Sequence, residues 1–204
     1  YAVKACISTD CFGVDSGDSR QRARQELYVI ETTRTGRLND VPVNLATPSV
    51  ATQENGNAWV VYVATDGNIR YSFVSQYDYE PITLDFGREV QNVSVSRDFT
   101  RLAFVFRESP DIYIYNFERS ELTVKTVEGQ SYSTSGGAEN VRMVDSLAFS
   151  ADGDQLVFDY QVCRPSLGAD SDCDDVWSIG VFDLAKDKFD YPYPGQPSTI
   201  DLGF

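Results

Sequence analysis

Residues 145–160 read DSLAFSADGDQLVFDY, and residues 91–106 read QNVSVSRDFTRLAFVF. Both stretches contain alternating apolar residues, a serine, a charged turn and then a second apolar run. A third stretch, PSVATQENGNAWVVYV, begins at Pro48 and follows the same plan. Alternation with period two and an abundance of valine, phenylalanine and tyrosine are typical of half-buried β-strands. Because Asn-Gly and Asp-Gly turns favour antiparallel hairpins, these stretches predict three copies of one β-hairpin.

A second pattern follows each hairpin and predicts a third strand. It also occurs once near the start of the chain, and its aligned apolar positions are Leu27, Ile69, Ile112 and Val176. The four copies read ELYVI, NIRYS, DIYIY and DVWSI, at 26–30, 68–72, 111–115 and 175–179. A turn and a fourth apolar segment come after each copy: LNDVPVNL, PITLDFG, LTVKTVE and KFDYPYP. The aligned positions are 42, 43 and 64 residues apart, and the last interval is longer because it contains two predicted loops, 129–140 and 163–174. Four antiparallel strands that recur every 42–43 residues are typical of a β-propeller blade, whose apolar faces are covered by its neighbours.

The sequence therefore predicts an all-β protein, a β-propeller of four-stranded antiparallel blades, with residues 1–204 in a single domain or a partial propeller. The blades and the lone strand after them are predicted at 1–46, 48–87, 92–129, 146–194 and 198–204. The first blade lacks a first strand, which leaves three interpretations. The lone strand completes that blade and closes a four-bladed ring, the chain is part of a larger propeller, or the two edges pair with other molecules.

The predicted blade over 96–122, SRDFTRLAFVFRESPDIYIYNFERSEL, resembles the repeats of TolB-type (WD-like) β-propellers. In that family a turn similar to SPDG is followed by LAF and then by DIYVVDL. SADGDQLVF and DVWSIGVFDLAKDKF resemble the same pattern, whereas the turn after Pro48 departs from it and reads TQENGN. The resemblance implies a fold that occurs in periplasmic binding proteins and in accessory domains of prolyl-oligopeptidase-like enzymes and redox complexes. It implies no particular site residue.

The composition excludes several classes of function. With 17 Lys and Arg against 31 Asp and Glu, the net charge is −14, so nucleic acid and anionic membrane surfaces would be repelled. No apolar run approaches the roughly 18 residues of a membrane-spanning helix, so we expect no membrane insertion. The chain has no histidine, which excludes Ser-His-Asp and Cys-His nucleophiles and histidine-ligated metals. Chemistry by carboxylate, thiolate, lysine or tyrosine groups stays open. We expect a non-enzymatic protein whose partner is another protein, basic if it is charged.

Four cysteines form two local pairs, Cys6 with Cys11 and Cys163 with Cys173. Equivalent placement in two blades predicts two disulfides that hold blade-edge loops, and hence an oxidising compartment that is periplasmic or extracellular. Free thiols and a four-thiolate zinc site are the alternatives. The zinc site is disfavoured because nine residues separate the second pair, whereas zinc ligands prefer closer spacing.

Asp170, Asp172 and Asp174 alternate in the loop GADSDCDD, as oxygen ligands do at the start of a calcium loop. The sixth position of such a loop is Asp175 here instead of glycine, and the twelfth is Val181 instead of glutamate. The pattern therefore excludes an EF-hand and leaves two interpretations, a looser calcium site and a solvated acidic loop. No other cofactor is expected.

These observations lead to one expectation for function and two alternatives. The expected function is an extracytoplasmic scaffold that binds a protein partner through blade-edge loops at 9–25 and 163–175. The first alternative is an accessory propeller of a larger enzyme, a hydrolase or a multihaem redox complex. The second is a structural protein whose copies assemble through unpaired edge strands.

Overall fold

The computed structural model describes residues 2–7, 25–30, 35–37, 48–52, 58–74, 81–129, 140–165 and 173–193. It divides into two compact units, Tyr1–Glu89 and Val90–Phe204. Every regular element among the described residues is a β-strand, which confirms the all-β prediction. The described part of the chain contains no helix long and apolar enough to cross a membrane.

The first unit contains two antiparallel sheets. The strands of the first sheet are β1 Ala2–Ile7, β2 Gln25–Ile30 and β3 Thr35–Arg37. Those of the second are β4 Ser49–Thr52, β5 Ala58–Val63, β6 Ile69–Val74 and β7 Ile82–Leu84. In both sheets each strand pairs with the next one along the chain, as in a blade. The predicted fourth strand LNDVPVNL and the predicted lone strand at 198–204 lie outside the described residues.

The second unit contains two four-stranded antiparallel sheets with the same consecutive order. The strands of one are β8 Val90–Val95, β9 Arg101–Phe106, β10 Asp111–Asn116 and β11 Glu121–Thr126. Those of the other are β12 Asn140–Phe149, β13 Gln155–Pro165, β14 Cys173–Asp183 and β15 Lys188–Tyr193. The sheets approach each other through β8, β9 and β12. Their core contains Val105, Ile112, Leu156, Phe158 and Tyr160, all 2% exposed or less.

The repeated serine closes the turn between the first two strands of these sheets. In the β8–β9 turn the Ser96 hydroxyl donates to Asp98 Oδ1 at 2.6 Å and accepts from the Arg101 N–H at 2.9 Å. In the β12–β13 turn the Ser150 hydroxyl donates to Asp152 Oδ1 at 2.5 Å and accepts from the Gln155 N–H at 3.0 Å. The Ser150 hydroxyl holds the pKa of Asp152 below its usual range. The serine and aspartate of the motif are therefore turn-forming residues.

The hairpin of β13 and β14 corrects the sequence alignment in the last blade. The predicted loop at 163–174 is shorter than expected, because β13 continues to Pro165 and β14 begins at Cys173. The Leu184 N–H donates to the Asp154 carbonyl, just as the Phe117 N–H donates to the Thr100 carbonyl one blade earlier. Ile112 lies five residues before Phe117, and Ile179 lies five residues before Leu184, so Ile179 is the counterpart of Ile112. The prediction of Val176 was wrong because it did not include the added residues of this hairpin.

Candidate functional site

A groove lies between the two sheets of the second unit, at the end where the β10–β11, β12–β13 and β14–β15 turns meet. Its cavity volume is about 410 Å³. Apolar side chains from both sheets line it, among them Ile114 of β10 and Phe182 and Leu184 at the end of β14. The remaining lining residues are Arg101, Asn116, Arg119, Glu121, Thr123, Lys125, Asp154, Ala185 and Asp187. We call this cavity and its lining the inter-sheet groove.

The two walls of the inter-sheet groove carry charges of opposite sign. The β8–β11 sheet contributes Arg101, Arg119 and Lys125, together with one carboxylate, Glu121. The turns of the β12–β15 sheet contribute only carboxylates, those of Asp154 and Asp187. Because strand residues two apart point to the same face, Glu121, Thr123 and Lys125 of β11 all line the groove.

Two polar contacts join the walls of the groove. Lys125 Nζ lies 2.5 Å from Asp187 Oδ1 and 5.8 Å from the centre of the Phe182 ring, which places the ammonium within cation–π range. Arg101 Nη1 donates to the Gly153 carbonyl at 3.1 Å. These contacts bridge the two sheets, and Glu121 and Arg119 are exposed at the rim.

The turn that forms the anionic wall is organised by Asp183. Its Oδ1 accepts the N–H groups of Ala185 and Lys186 at 3.1 and 3.0 Å, and its Oδ2 pairs with Lys186 Nζ at 2.5 Å. The bond from the Lys186 side chain, followed by the one from its backbone N–H, lowers the pKa of Asp183. Asp187 then takes a left-handed backbone conformation with φ of 52°, which closes the turn beside the groove.

A second polar cluster surrounds two matching β-bulges. Gln91 and Asp145 occupy equivalent repeat positions at the register shifts of β8 and β12, and Gln91 Nε2 donates to Asp145 Oδ1 at 2.9 Å. Asp159 of β13 lies opposite the β12 bulge, is only 8% exposed and accepts the Ser146 N–H at 2.6 Å. Burial, and to a smaller extent the Asp145 charge, raise the pKa of Asp159 to about 6.

The predicted disulfides and calcium site fall largely outside the described side chains. Cys163 is disulfide-bonded and lies within β13, opposite Asp175. Its pairing with Cys173 stays a prediction, as does the pair Cys6 and Cys11, because the side chains of these three cysteines lie outside the described part. Asp170 and Asp172 also lie outside it, and Asp174 is described only as a β14 backbone position opposite Arg164. The described residues hold no cluster of three His, Cys, Asp or Glu that could bind a metal.

Binding through the predicted loops stays a prediction, and the structure adds a second candidate site, the inter-sheet groove, which sequence reasoning missed. Segment 9–24 lies outside the described residues, and so does 166–172. The groove is built from β11 and from the β14–β15 turn, whose charges looked like ordinary surface residues. Asp159, by contrast, could have been noticed in the sequence. It is the one charged residue in the apolar run LVFDY, at the position where the preceding repeat has Val105.

Comparisons with known proteins agree with the strand order. No protein-family model and no curated protein matches the sequence. Among solved structures, the chain is similar to TolB from Acinetobacter baumannii, with 16% identity and a TM-score of 0.55 over 86% of this chain and 39% of that one. It is also similar to a putative TolB from Agrobacterium tumefaciens, with 12% identity and a TM-score of 0.50 over 89% and 62% of the two chains.

These likenesses, together with the three consecutive four-stranded sheets, define the class of the protein. Its fold is a β-propeller, as the repeats predicted. More particularly, its fold is similar to that of the two TolB propellers, and the chain spans less than two thirds of either TolB structure. At this level of identity the likeness concerns the fold, and the function has to be argued from the site.

Proposed function

We propose that the protein is a non-enzymatic, extracytoplasmic β-propeller scaffold and that it binds a protein partner at the inter-sheet groove. The observation that carries this proposal is the composition of the groove, in which apolar side chains lie between rims of opposite charge. An apolar centre with a polar rim is the usual anatomy of a protein–protein interface. A small-molecule pocket would instead be lined mostly by apolar side chains, whereas six of the twelve lining residues here are charged.

Two further observations support the details of the proposal. The net charge of −14 favours a basic partner, because charges of opposite sign accelerate encounter and orient the complex. The disulfide at Cys163 favours an oxidising compartment, periplasmic or extracellular. An accessory role in a larger enzyme stays an alternative prediction, as does assembly through edge strands. The absence of histidine supports a non-enzymatic role for this chain.

Filling the groove should weaken partner binding without affecting the fold. Ala185 is exposed on the β14–β15 turn and lines the groove, so Ala185→Trp places an indole ring within it. The matched control is Ala151→Trp, since Ala151 is also exposed on a turn but lies outside the lining. Short peptides are selected from a displayed random library on the native protein, and their affinities are measured by fluorescence anisotropy on all three proteins.

We expect the selected peptides to be rich in lysine and arginine. We also expect Ala185→Trp to weaken their binding at least about tenfold, and Ala151→Trp to leave it within about twofold. The proposal would be wrong if the two tryptophan variants bound the selected peptides equally well.

A further inference from the structure

The outer edge of β11 has backbone groups that its own sheet does not use. β11 is the terminal strand of the order β11-β10-β9-β8, and no described strand pairs with its other side. The Val127 N–H donates to the Pro110 carbonyl at 3.0 Å, which fixes the alternation of the antiparallel ladder. Counting from that bond, residues 121, 123 and 125 direct their N–H and C=O groups towards β10. Leu122, Val124 and Thr126 direct theirs outward.

The side chains at these outward positions are unusually apolar for an exposed edge. Leu122 is 44% exposed and Val124 is 46% exposed. They stand on one face of the sheet, where they pair across the strands with Tyr115 and Tyr113. These two side chains and the two tyrosines therefore form a continuous apolar stripe. The stripe ends at the outward N–H and C=O groups of β11.

The other outer strands with described side chains are protected in the usual ways. β7 has only three residues. β15 carries the exposed ion pair of Lys188 and Asp190 and has Pro192, which lacks an N–H, near its end. Short length, charge and proline are the common devices that prevent another strand from pairing with a sheet edge. β11 has six residues and no proline, and its two charged residues, Glu121 and Lys125, lie on the groove face, so the outward backbone groups at its centre are accompanied by the apolar Leu122 and Val124.

We propose that β11 receives an extended segment of the partner protein as a fifth strand of its sheet. This inference rests on the proposed function and specifies how the partner binds at the rim of the inter-sheet groove. Strand addition of this kind obtains affinity from backbone hydrogen bonds and specificity from alternate side chains. The backbone amides and carbonyls of Leu122 and Val124 supply hydrogen bonds for affinity, and their exposed side chains supply part of the specificity.

The same alternation defines the chemistry of the segment. Its residues opposite Leu122 and Val124 place their side chains on the apolar stripe, so they should be apolar and β-branched. The residues between them fall on the groove face with Glu121, while Lys125 on that face is already paired with Asp187. The exposed charges of Glu121 and Arg119 at the rim offset each other, so the net charge of −14 is what favours a basic side chain at these positions. The occupant is thus a segment that alternates valine or isoleucine with lysine or arginine.

Val124→Pro tests this pairing directly. Proline removes the outward N–H of Val124, and the bonds between β11 and β10 are retained because residues 121, 123 and 125 form them. The matched control is Val124→Thr, which keeps the N–H and the β-branched shape. The probe is the fluorescent peptide acetyl-GVKVKVG-amide, and acetyl-GVEVEVG-amide reverses its charges. Binding is measured by anisotropy, and circular dichroism checks that each variant is folded.

We expect the lysine peptide to bind the native protein and Val124→Thr with affinities within about threefold of each other. Val124→Pro and the glutamate peptide should each weaken binding about tenfold. A second measurement leaves the protein unchanged: N-methylation of the peptide amides that face β11 should abolish binding, and N-methylation of the other amides should not. Equal binding of both N-methylated peptides would contradict strand addition.

The two proposals fail in different ways. If library peptides bind in a manner sensitive to Ala185→Trp and are unaffected by Val124→Pro, the groove is a binding site and strand addition is wrong. The assignment of the occupant is also wrong if sedimentation shows a dimer of this chain that Val124→Pro dissociates, because β11 would then pair with a second copy.

Discussion

Replacing Gly180 with valine should destabilise the protein by more than about 3 kcal/mol, because this glycine leaves room for a buried ring. Phe158 lies directly opposite Gly180 in the pairing of β13 with β14 and is 2% exposed. A Cβ added at Gly180 would stand 2.3 Å from Phe158 Cζ and 2.6 Å from its Cε2, far inside van der Waals contact. The ring is confined by Phe189 and Tyr160, whose centres lie 5.7 and 5.9 Å from its own.

The preceding blade shows what the glycine replaces. Phe104 is the counterpart of Phe158, and its cross-strand neighbour is Tyr113, with the two rings stacked 5.4 Å apart at 17°. Gly180 occupies the position that corresponds to Tyr113, so the last blade has only one of the two aromatic rings. That ring, of Phe158, packs against the backbone at Gly180. Because the Phe158 ring occupies the space next to Gly180, even Gly180→Ala, which adds a single methyl group, should lower the free energy of unfolding by about 2 kcal/mol.

Urea unfolding of four variants, Gly180→Val, Gly180→Ala, Gly87→Ala and Gly180→Ala combined with Phe158→Leu, separates the causes of this destabilisation. Gly87→Ala is the backbone control, because Gly87 has a φ of 69° and open space where its Cβ would lie. It should cost about 1 kcal/mol from backbone strain alone. Adding Phe158→Leu to Gly180→Ala should recover part of the loss, since the smaller side chain removes the clash. The account of this packing fails if Gly180→Val is no less stable than Gly87→Ala.

The buried carboxyl of Asp159 should make the protein less stable by about 3 kcal/mol at pH 8 than at pH 4, other groups being equal. Burial raises its pKa from the usual 3.8 to about 6, so the folded state holds this proton more tightly than the unfolded state. Between these two values the folded state binds more protons, and the free energy of unfolding therefore falls as the pH rises. Most of this change falls between pH 4 and pH 6, with smaller parts within about one pH unit on either side, and the full shift of about two units corresponds to about 3 kcal/mol.

Asp159→Asn removes the charge and retains an oxygen that can accept the Ser146 N–H. We expect this variant to unfold at higher urea concentration than the native protein at pH 8, by about 2 to 3 kcal/mol, and to match it at pH 4. Asp145→Asn is the comparison variant, because the Asp145 charge is a smaller cause of the raised pKa of Asp159. It should reduce the pH-dependent difference without abolishing it. A gain for Asp159→Asn that was equal at both pH values would show that the charge is not the cause.

The turns and the blade order could be predicted from the sequence because they depend on local patterns. Alternation, Asn-Gly and Asp-Gly turns, and the serine or threonine at the end of each first strand act over a few residues, and the structure confirms the hairpins at Ser96 and Ser150. The alignment of Val176 with Ile112 failed because added residues lengthened the β13–β14 hairpin without breaking its alternation. An alternating pattern looks the same whether or not a strand has been extended. The pattern alone therefore does not determine which residues of two neighbouring strands pair.

The candidate site could not be predicted, because it arises where two sheets meet. Lys125 and Asp187 are 62 positions apart and look like ordinary surface charges until β11 and the β14–β15 turn are brought together. Leu122 and Val124 fitted the pattern of a blade strand, and only the sheet order shows that they stand at an exposed edge. Asp159 and Gly180 could have been noticed as departures from their repeat equivalents, Val105 and Tyr113, once the register was known.

The central claim is that β11 and the inter-sheet groove bind an extended protein segment, and amide hydrogen exchange tests it most directly. The outward amides of Leu122, Val124 and Thr126 should exchange rapidly in the free protein, whereas those of Thr123 and Lys125 should be protected by bonds to β10. Addition of a selected basic peptide should slow exchange of the three outward amides at least about tenfold. Protection that arose instead in the 163–175 segment, with the β11 amides unchanged, would contradict the account and return the binding site to the blade-edge loops.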